Sequence, residues 1–186
     1  MAQARELQGK RVAALVDDRF EAAELFEPKQ ALELAGARVE VISRHARLTS
    51  MRHHDSGPSL ERDRALAEAD AGDYDALLLP GGVVNGDSLR IVPEAQRIVK
   101  LIAGARKPIA VICHGGWILI SCGLVRGRTL TSWPTLQDDY RNAGAHWVDR
   151  EVVRDGNWVS SRKPDDIPAF NREMLALFAE SKPLAA

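Results

Sequence analysis

Several features that would force a specialised reading are scarce or missing in this chain of 186 residues. It has two cysteines, Cys113 and Cys122, too few for a disulfide-built secreted domain. No apolar run approaches the roughly 20 residues of a membrane span. The opening stretch MAQARELQGKR has no apolar segment between its charged ends, so no signal peptide is expected. Neither sign of charge dominates: 25 Lys and Arg face 26 Asp and Glu, a net charge of −1. Nucleic-acid binding, which draws on a concentrated basic face, gains no support. No GxGxxG follows the first apolar run, so no nucleotide cofactor is expected. His53-His54-Asp55 has no spaced partner motif nearby, so no metal is expected either.

What is present is ordinary globular composition, 45% apolar and 27% charged. A chain this long buries roughly 70% of its unfolded surface, enough for a single domain over residues 1–186 without a staple. The default is a soluble protein of a reducing cytoplasm.

Short, continuous apolar runs suit strands buried on both faces. Val12 to Val16, Asp75 to Pro80 and Pro108 to Ile112 are such runs, and Arg38 to Ser43 alternates. Between them lie helical stretches, Glu21 to Ala35, in which Pro28 should kink the helix or mark its true start, and Pro93 to Ala105 with Pro93 in its first turn. Residues 44–70 are polar and broken. A short hairpin or loop is expected there, with Gly57-Pro58 as the turn signal. Further on, Trp117 to Cys122 and Leu136 to Asn142 read as helices, and Leu130 to Trp133 as a strand. Val148 to Val153 and Trp158 to Ser161 flank a hairpin turn, and a last helix runs to Glu180 with Pro168 in its first turn. Strands alternating with helices predict an α/β fold around a mainly parallel sheet.

The third buried run leads straight into Cys113-His114-Gly115-Gly116. A residue on a tight strand-to-helix turn sits beyond the carboxyl ends of the strands, where open α/β sheets bind ligands. It also lies near free backbone N–H groups and the positive end of a helix dipole, which acidify a thiol. This is the cysteine counterpart of a serine nucleophile elbow. Cys122, about 180° round the same helix, reads as packing.

The stretch AVICHGGW from Ala110 to Trp117 resembles the AxICHGxx signature of the ThiJ/PfpI superfamily. Asp75 to Gly82 (DALLLPGG) looks like its strand and glycine pair. Thr131 to Pro134 (TSWP), Asp138-Asp139, Asn142 to Gly144, Asp165 to Ala169, and Phe20-Glu21 with Glu24-Leu25 are similar to positions of the PfpI branch, in order over nearly the whole chain. The resemblance implies a flavodoxin-like three-layer sandwich in a stress-associated cytoplasmic protein that assembles as dimers or hexamers. Members have been assigned as cysteine peptidases, as glyoxalases without a cofactor, and as deglycases acting on glyoxal or methylglyoxal adducts. Others serve as oxidation sensors or chaperones.

Residue by residue, the resemblance assigns Cys113 as nucleophile, His114 as its neighbour and Glu21 as the acid beside the thiol. Gly81 and Gly82, with Gly115 and Trp133, would form the oxyanion and substrate-binding surface. In the PfpI branch the histidine pairs with an acid of a neighbouring subunit, and Asp87 is the nearest candidate. Glu24 reads as secondary. Two departures stand out. Asp87 is shorter than the Glu of peptidase-like relatives, and Trp133 stands where Tyr is common. Glyoxalase or deglycase chemistry is therefore favoured over peptide hydrolysis. A non-enzymatic redox sensor, with Cys113 oxidised to sulfenic or sulfinic acid, is the alternative.

Overall fold

The computed structural model describes residues 6–180. The first five residues of the opening stretch, part of the reading against a signal peptide, lie outside them. In chain order the elements are β1 (Arg11–Leu15), α1 (Ala22–Leu34), β2 (Arg38–Ser43), β3 (Arg47–Arg52), β4 (Asp55–Glu61), β5 (Arg64–Ala65), β6 (Ala76–Leu79), α2 (Val83–Leu89), α3 (Pro93–Gly104), β7 (Ile109–Ile112), α4 (Trp117–Ser121), β8 (Thr129–Leu130), α5 (Gln137–Asn142), β9 (His146–Trp147), β10 (Val152–Asp155), β11 (Trp158–Ser161) and α6 (Ile167–Glu180). Single 3-10 turns punctuate them, one of which spans Cys113–Gly116.

Seven strands form one sheet in the order β10-β11-β7-β6-β1-β2-β5. Only β10–β11 is antiparallel; the other pairs are parallel. The alternation of side chains along a strand explains why the central runs are apolar throughout. Ala13, Leu15, Leu77, Leu79, Ile109 and Val111 enter the core on one face, packed against α3, α4 and α5. Val12, Ala14, Ala76, Leu78, Ala110 and Ile112 enter the other, against α1 and α6. The result is the flavodoxin-like sandwich of three layers that the resemblance implies.

The order of connections reverses between β1 and β6, because β1 pairs with β2 on one side and β6 on the other. Such a switch point leaves a crevice at the carboxyl ends of the strands. The loops after β1, β6 and β7 open there, and they carry Arg19 to Glu21, Gly81-Gly82 and Cys113. Among the described residues, no helix is long and apolar enough to cross a membrane.

Three local expectations are corrected. The α1 helix runs through Pro28 rather than starting at it, since a proline costs one backbone bond and the buried face of α1 holds the rest. The hairpin in residues 44–70 turns at His53-His54, with His53 at φ +56°, while Gly57-Pro58 lies inside β4. The strand candidate Leu130 to Trp133 shrinks to the two residues of β8, beside β9.

Candidate functional site

Cys113 is the only residue of its turn with a left-handed backbone, at φ +60°. A side chain there is disfavoured by about 1 kcal/mol or more. The conformation persists because both sides of the turn are fixed. Gly115 presses so closely on β6 that an added Cβ would lie 2.4 Å from the Leu79 carbonyl oxygen. The chain leaving the turn is pinned by Trp133, whose N–H reaches the Cys113 carbonyl at 3.5 Å.

The sulfur of Cys113 receives the backbone N–H groups of His114 and Gly82. The carboxyl of Glu24, from α1, is hydrogen-bonded to the thiol. Its Oε2 accepts the Gly81 N–H at 2.8 Å. Glu24 is completely buried, and Oε1 has no nitrogen or oxygen donor. Loss of water raises its pKa to about 8, with the Glu21 charge adding to the rise, so the carboxyl keeps its proton at neutral pH. Burial also pushes the thiol up, and the Glu24 charge, when present, pushes further. The two backbone donors pull it down. The acidified thiol expected from a helix N-terminus is therefore corrected: desolvation and a carboxyl outweigh a helix that has only five residues. Thiol and carboxyl form one unit that resists losing both protons.

His114 Nδ1 lies 3.2 Å from the sulfur. The imidazole packs edge-on to Trp117, centroids 5.0 Å apart, and stacks on Trp133 at 5.8 Å. Burial lowers its pKa to about 4, so it is neutral at physiological pH and able to accept a proton.

Glu24, not Glu21, is the acid at the thiol. Glu21 lies just before α1, and its Oε2 accepts the backbone N–H of His53 at 3.0 Å. Three residues further on the helix turns inward, which carries Glu24 under the nucleophile. Both line the cavity. Gly82 and Trp133 line it as well, while Gly81 and Gly115 do not. The Gly81 amide is taken by Glu24 and its carbonyl by Glu21 and Asn85, so Gly81 has nothing free to hold an oxyanion. Asp87 is exposed on α2, and no carboxylate among the described residues pairs with His114.

Three contributors were not singled out in sequence. Asn85 is fully buried and ties β1 to β6: its Oδ1 accepts from Asp17 N at 2.6 Å, and its Nδ2 donates to Pro80 and Gly81 carbonyls. An Asn in the first turn of a helix that follows a strand and a glycine pair is the signal that pointed to it. Arg19 and Met51 complete the wall, brought in by the β3–β4 hairpin. The cavity holds about 360 Å³. A second cavity of about 410 Å³, bordered by Arg44, Arg62 and Pro93, contains none of the candidate site residues. Cys122 is half-buried on α4's C-terminal side, its thiol raised to about 11 by burial, in keeping with a packing role.

A left-handed cysteine over a flavodoxin-like sheet, with a protonated carboxyl and two amides on its sulfur, defines a cysteine-elbow protein. The model of the DJ-1/PfpI family matches residues 10–177, and the chain belongs to that family. A deglycase of Pyrococcus abyssi is 44% identical over 167 residues, covering 90% of this chain and 98% of that one. The putative cysteine protease YraA of Bacillus subtilis is 40% identical over 168 residues, with the same coverage. Among solved structures, a two-domain protein of Anabaena variabilis with DJ-1/ThiJ/PfpI-like and ferritin-like domains superposes with a TM-score of 0.84 at 32% identity. It covers 90% of this chain, which spans 47% of that longer one. Drosophila melanogaster DJ-1beta shares the fold, with a TM-score of 0.83 at 24% identity over 92% of this chain and 91% of that one.

Proposed function

We propose that this protein is a cofactor-independent enzyme that processes glyoxal, methylglyoxal or their adducts with amines and thiols. The observation that carries this reading is the protonated Glu24 carboxyl hydrogen-bonded to the left-handed Cys113. The names of the deglycase relatives point the same way.

In this reading the sulfur adds to the aldehyde carbon and forms a C–S bond. The carbonyl electron pair moves to oxygen, which takes the proton of Glu24. The thiol proton passes to Nδ1 of His114, 3.2 Å away, and from there to water, which leaves Glu24 as a carboxylate. The hydrogen on the first carbon then moves as a proton to the Glu24 carboxylate and from it to the second carbon, while the hydroxyl proton of the first carbon moves to the neighbouring oxygen. The first carbon is thereby oxidised to a thioester and the neighbouring carbonyl reduced to an alcohol. Water cleaves the thioester: its two protons restore the thiol and the Glu24 carboxyl, and a 2-hydroxy carboxylate leaves. An amine adduct enters the same sequence by expelling the amine, which takes the hydroxyl proton. The Gly82 amide is the backbone donor available to the oxygen.

Peptide hydrolysis fits less well, because His114 has no carboxylate partner among the described residues. It would need Asp87 of another copy. An assembly of at least two chains is part of the proposal, since Val83 and Val84 are 55% and 44% exposed beside Asp87. A stress role in the cytoplasm completes it. Oxidation of Cys113 is the competing reading, and the two amides at the sulfur suit a sulfinate as well as an oxyanion.

The decisive measurement compares methylglyoxal turnover with Cys113 alkylation. Wild type is expected to turn over methylglyoxal, and Cys113→Ser to lose it. Glu24→Gln is expected to lose about 10²–10⁴-fold in turnover, the usual worth of a positioned acid–base group. Iodoacetamide alkylation, which needs no proton relay, falls far less. Absence of turnover in wild type, with ready peroxide oxidation of Cys113, would replace this reading with the redox sensor.

A further inference from the structure

Arg19 is an exposed residue of the loop that follows β1. It lines the cavity that holds Cys113. Its backbone is left-handed at φ +59°, a conformation that a long side chain adopts only where its surroundings impose it. Those surroundings are specific. The Arg19 N–H donates to the Thr49 carbonyl at 2.8 Å, the Thr49 N–H to Asp18 Oδ1 at 2.7 Å, and the Met51 N–H to the Phe20 carbonyl at 2.7 Å. On the other flank, an added Cβ on Gly82 would lie 2.8 Å from the Arg19 carbonyl oxygen. The loop after β1 is thus stapled between β3 and the Gly81-Gly82 turn.

This fixed segment presents a guanidinium that forms no ion pair or hydrogen bond through its side chain among the described residues. Other arginines near buried acids are paired: Arg44 with Asp17, Arg64 with Glu40, Arg162 with Asp166. The acids that face the same cavity do not satisfy Arg19. Glu24 keeps its proton and is bonded to Gly81 and Cys113. Glu21 is turned to the His53 amide and forms no ion pair among the described residues. The rest of the wall is Met51, Val83, Val84, Trp133 and Pro164 with the imidazoles of His53, His54 and His114.

We infer that Arg19 is a specificity residue that anchors a carboxylate on the carbonyl substrate, so that the preferred substrates are small oxo acids or adducts bearing a carboxylate. The planar guanidinium matches a carboxylate through two parallel N–H donors. The inference deepens the carbonyl reading above and rests on it for the reaction. The binding step, however, stands on the cavity alone.

The test uses the full-length protein and two alkylating reagents of nearly equal size. Iodoacetate carries a carboxylate, iodoacetamide does not, and both transfer a carbon to the Cys113 sulfur with loss of iodide. The ratio of their second-order rates is expected to fall about tenfold in Arg19→Asn, the loss of one charge-assisted contact. Asparagine is chosen because it accepts a left-handed backbone, so the loop remains folded. Arg19→Lys is expected to keep part of the ratio, since it keeps the charge but not the fork. Glyoxylate is expected to slow iodoacetamide labelling of wild type and to protect Arg19→Asn at least tenfold less. Equal rate ratios in wild type and Arg19→Asn, or equal protection by glyoxylate, would overturn the anchor. Protection by inorganic phosphate but not by glyoxylate would overturn the carboxylate class. Labelling requires no turnover, so wild type that shows the ratio yet consumes no methylglyoxal would sink the proposed reaction and leave Arg19 as an anion site.

Discussion

At the scale of single residues, tolerance is decided by spaces of one methyl group. An added Cβ on Gly116 would lie 1.7 Å from the Tyr140 hydroxyl. That hydroxyl is fully buried and unbonded, and loss of water raises its pKa beyond the usual phenol range. Gly116→Ala is expected to destabilise by about 1–3 kcal/mol through overpacking. Tyr140→Phe alone removes an unsatisfied polar group and is expected to leave Tm unchanged or higher. Combined, the two are expected to recover part of the loss, since the ring carbon remains 2.9 Å from the new methyl. Thermal unfolding of the three variants reads this out. The nucleophile was legible in sequence because a cysteine between a buried strand and two glycines has few structural uses. The choice between Glu21 and Glu24 was not. It depends on where α1 begins, and one helical turn separates an acid on the rim from one under the sulfur.

At the scale of elements, the site is an agreement among three strand ends. Asn85 joins two of them with three side-chain bonds to backbone groups. Asn85→Ala would leave the Asp17 amide and the Pro80 carbonyl without partners, while the Gly81 carbonyl keeps the Glu21 amide, and a loss of about 2 kcal/mol is expected, at roughly 1 kcal/mol each. Turnover is expected to fall as well, because Gly81 and Gly82 lose their support, and chemical denaturation with activity on the same sample checks both. The central strands and α1, α3 and α6 were legible because their apolar runs are long relative to their ends. The β3–β4 hairpin was expected within residues 44–70 as one of two alternatives, but its turn was put at Gly57-Pro58, since the actual turn is made by two histidines rather than glycine. Its role as the clamp on Arg19 depends on contacts about 30 residues apart in sequence, invisible to local periodicity.

Across the whole molecule, stability and proton uptake are linked through the two buried titrating groups. Glu24 has its pKa raised to about 8 from 4.5. Between these values the folded chain holds a proton that the unfolded chain has released, so this contribution is lost as pH rises from about 4.5 to about 8. His114 is lowered to about 4 from 6.5. There the unfolded chain binds the proton first, and stability falls as pH drops from about 6.5 to about 4. Tm is expected to decline on both sides of a weakly acidic maximum. Glu24→Gln is expected to flatten the alkaline side and His114→Gln the acid side. Light scattering is expected to give a mass of at least twice 20.4 kDa, and a monomer would leave Asp87 without a histidine to serve.

The left-handed turn at position 113 carries a cost for heredity. Cys113→Gly removes the side chain that the backbone disfavours, whereas Cys113→Ala keeps a Cβ there. The glycine variant is expected to be at least as stable as the alanine one, by up to about 1 kcal/mol, and both are expected to be inert. A lineage that no longer needs the chemistry therefore has an easy exit: one substitution disarms the protein without unfolding it. Descendants that keep the fold and lose the thiol should consequently arise more readily than ones that lose both.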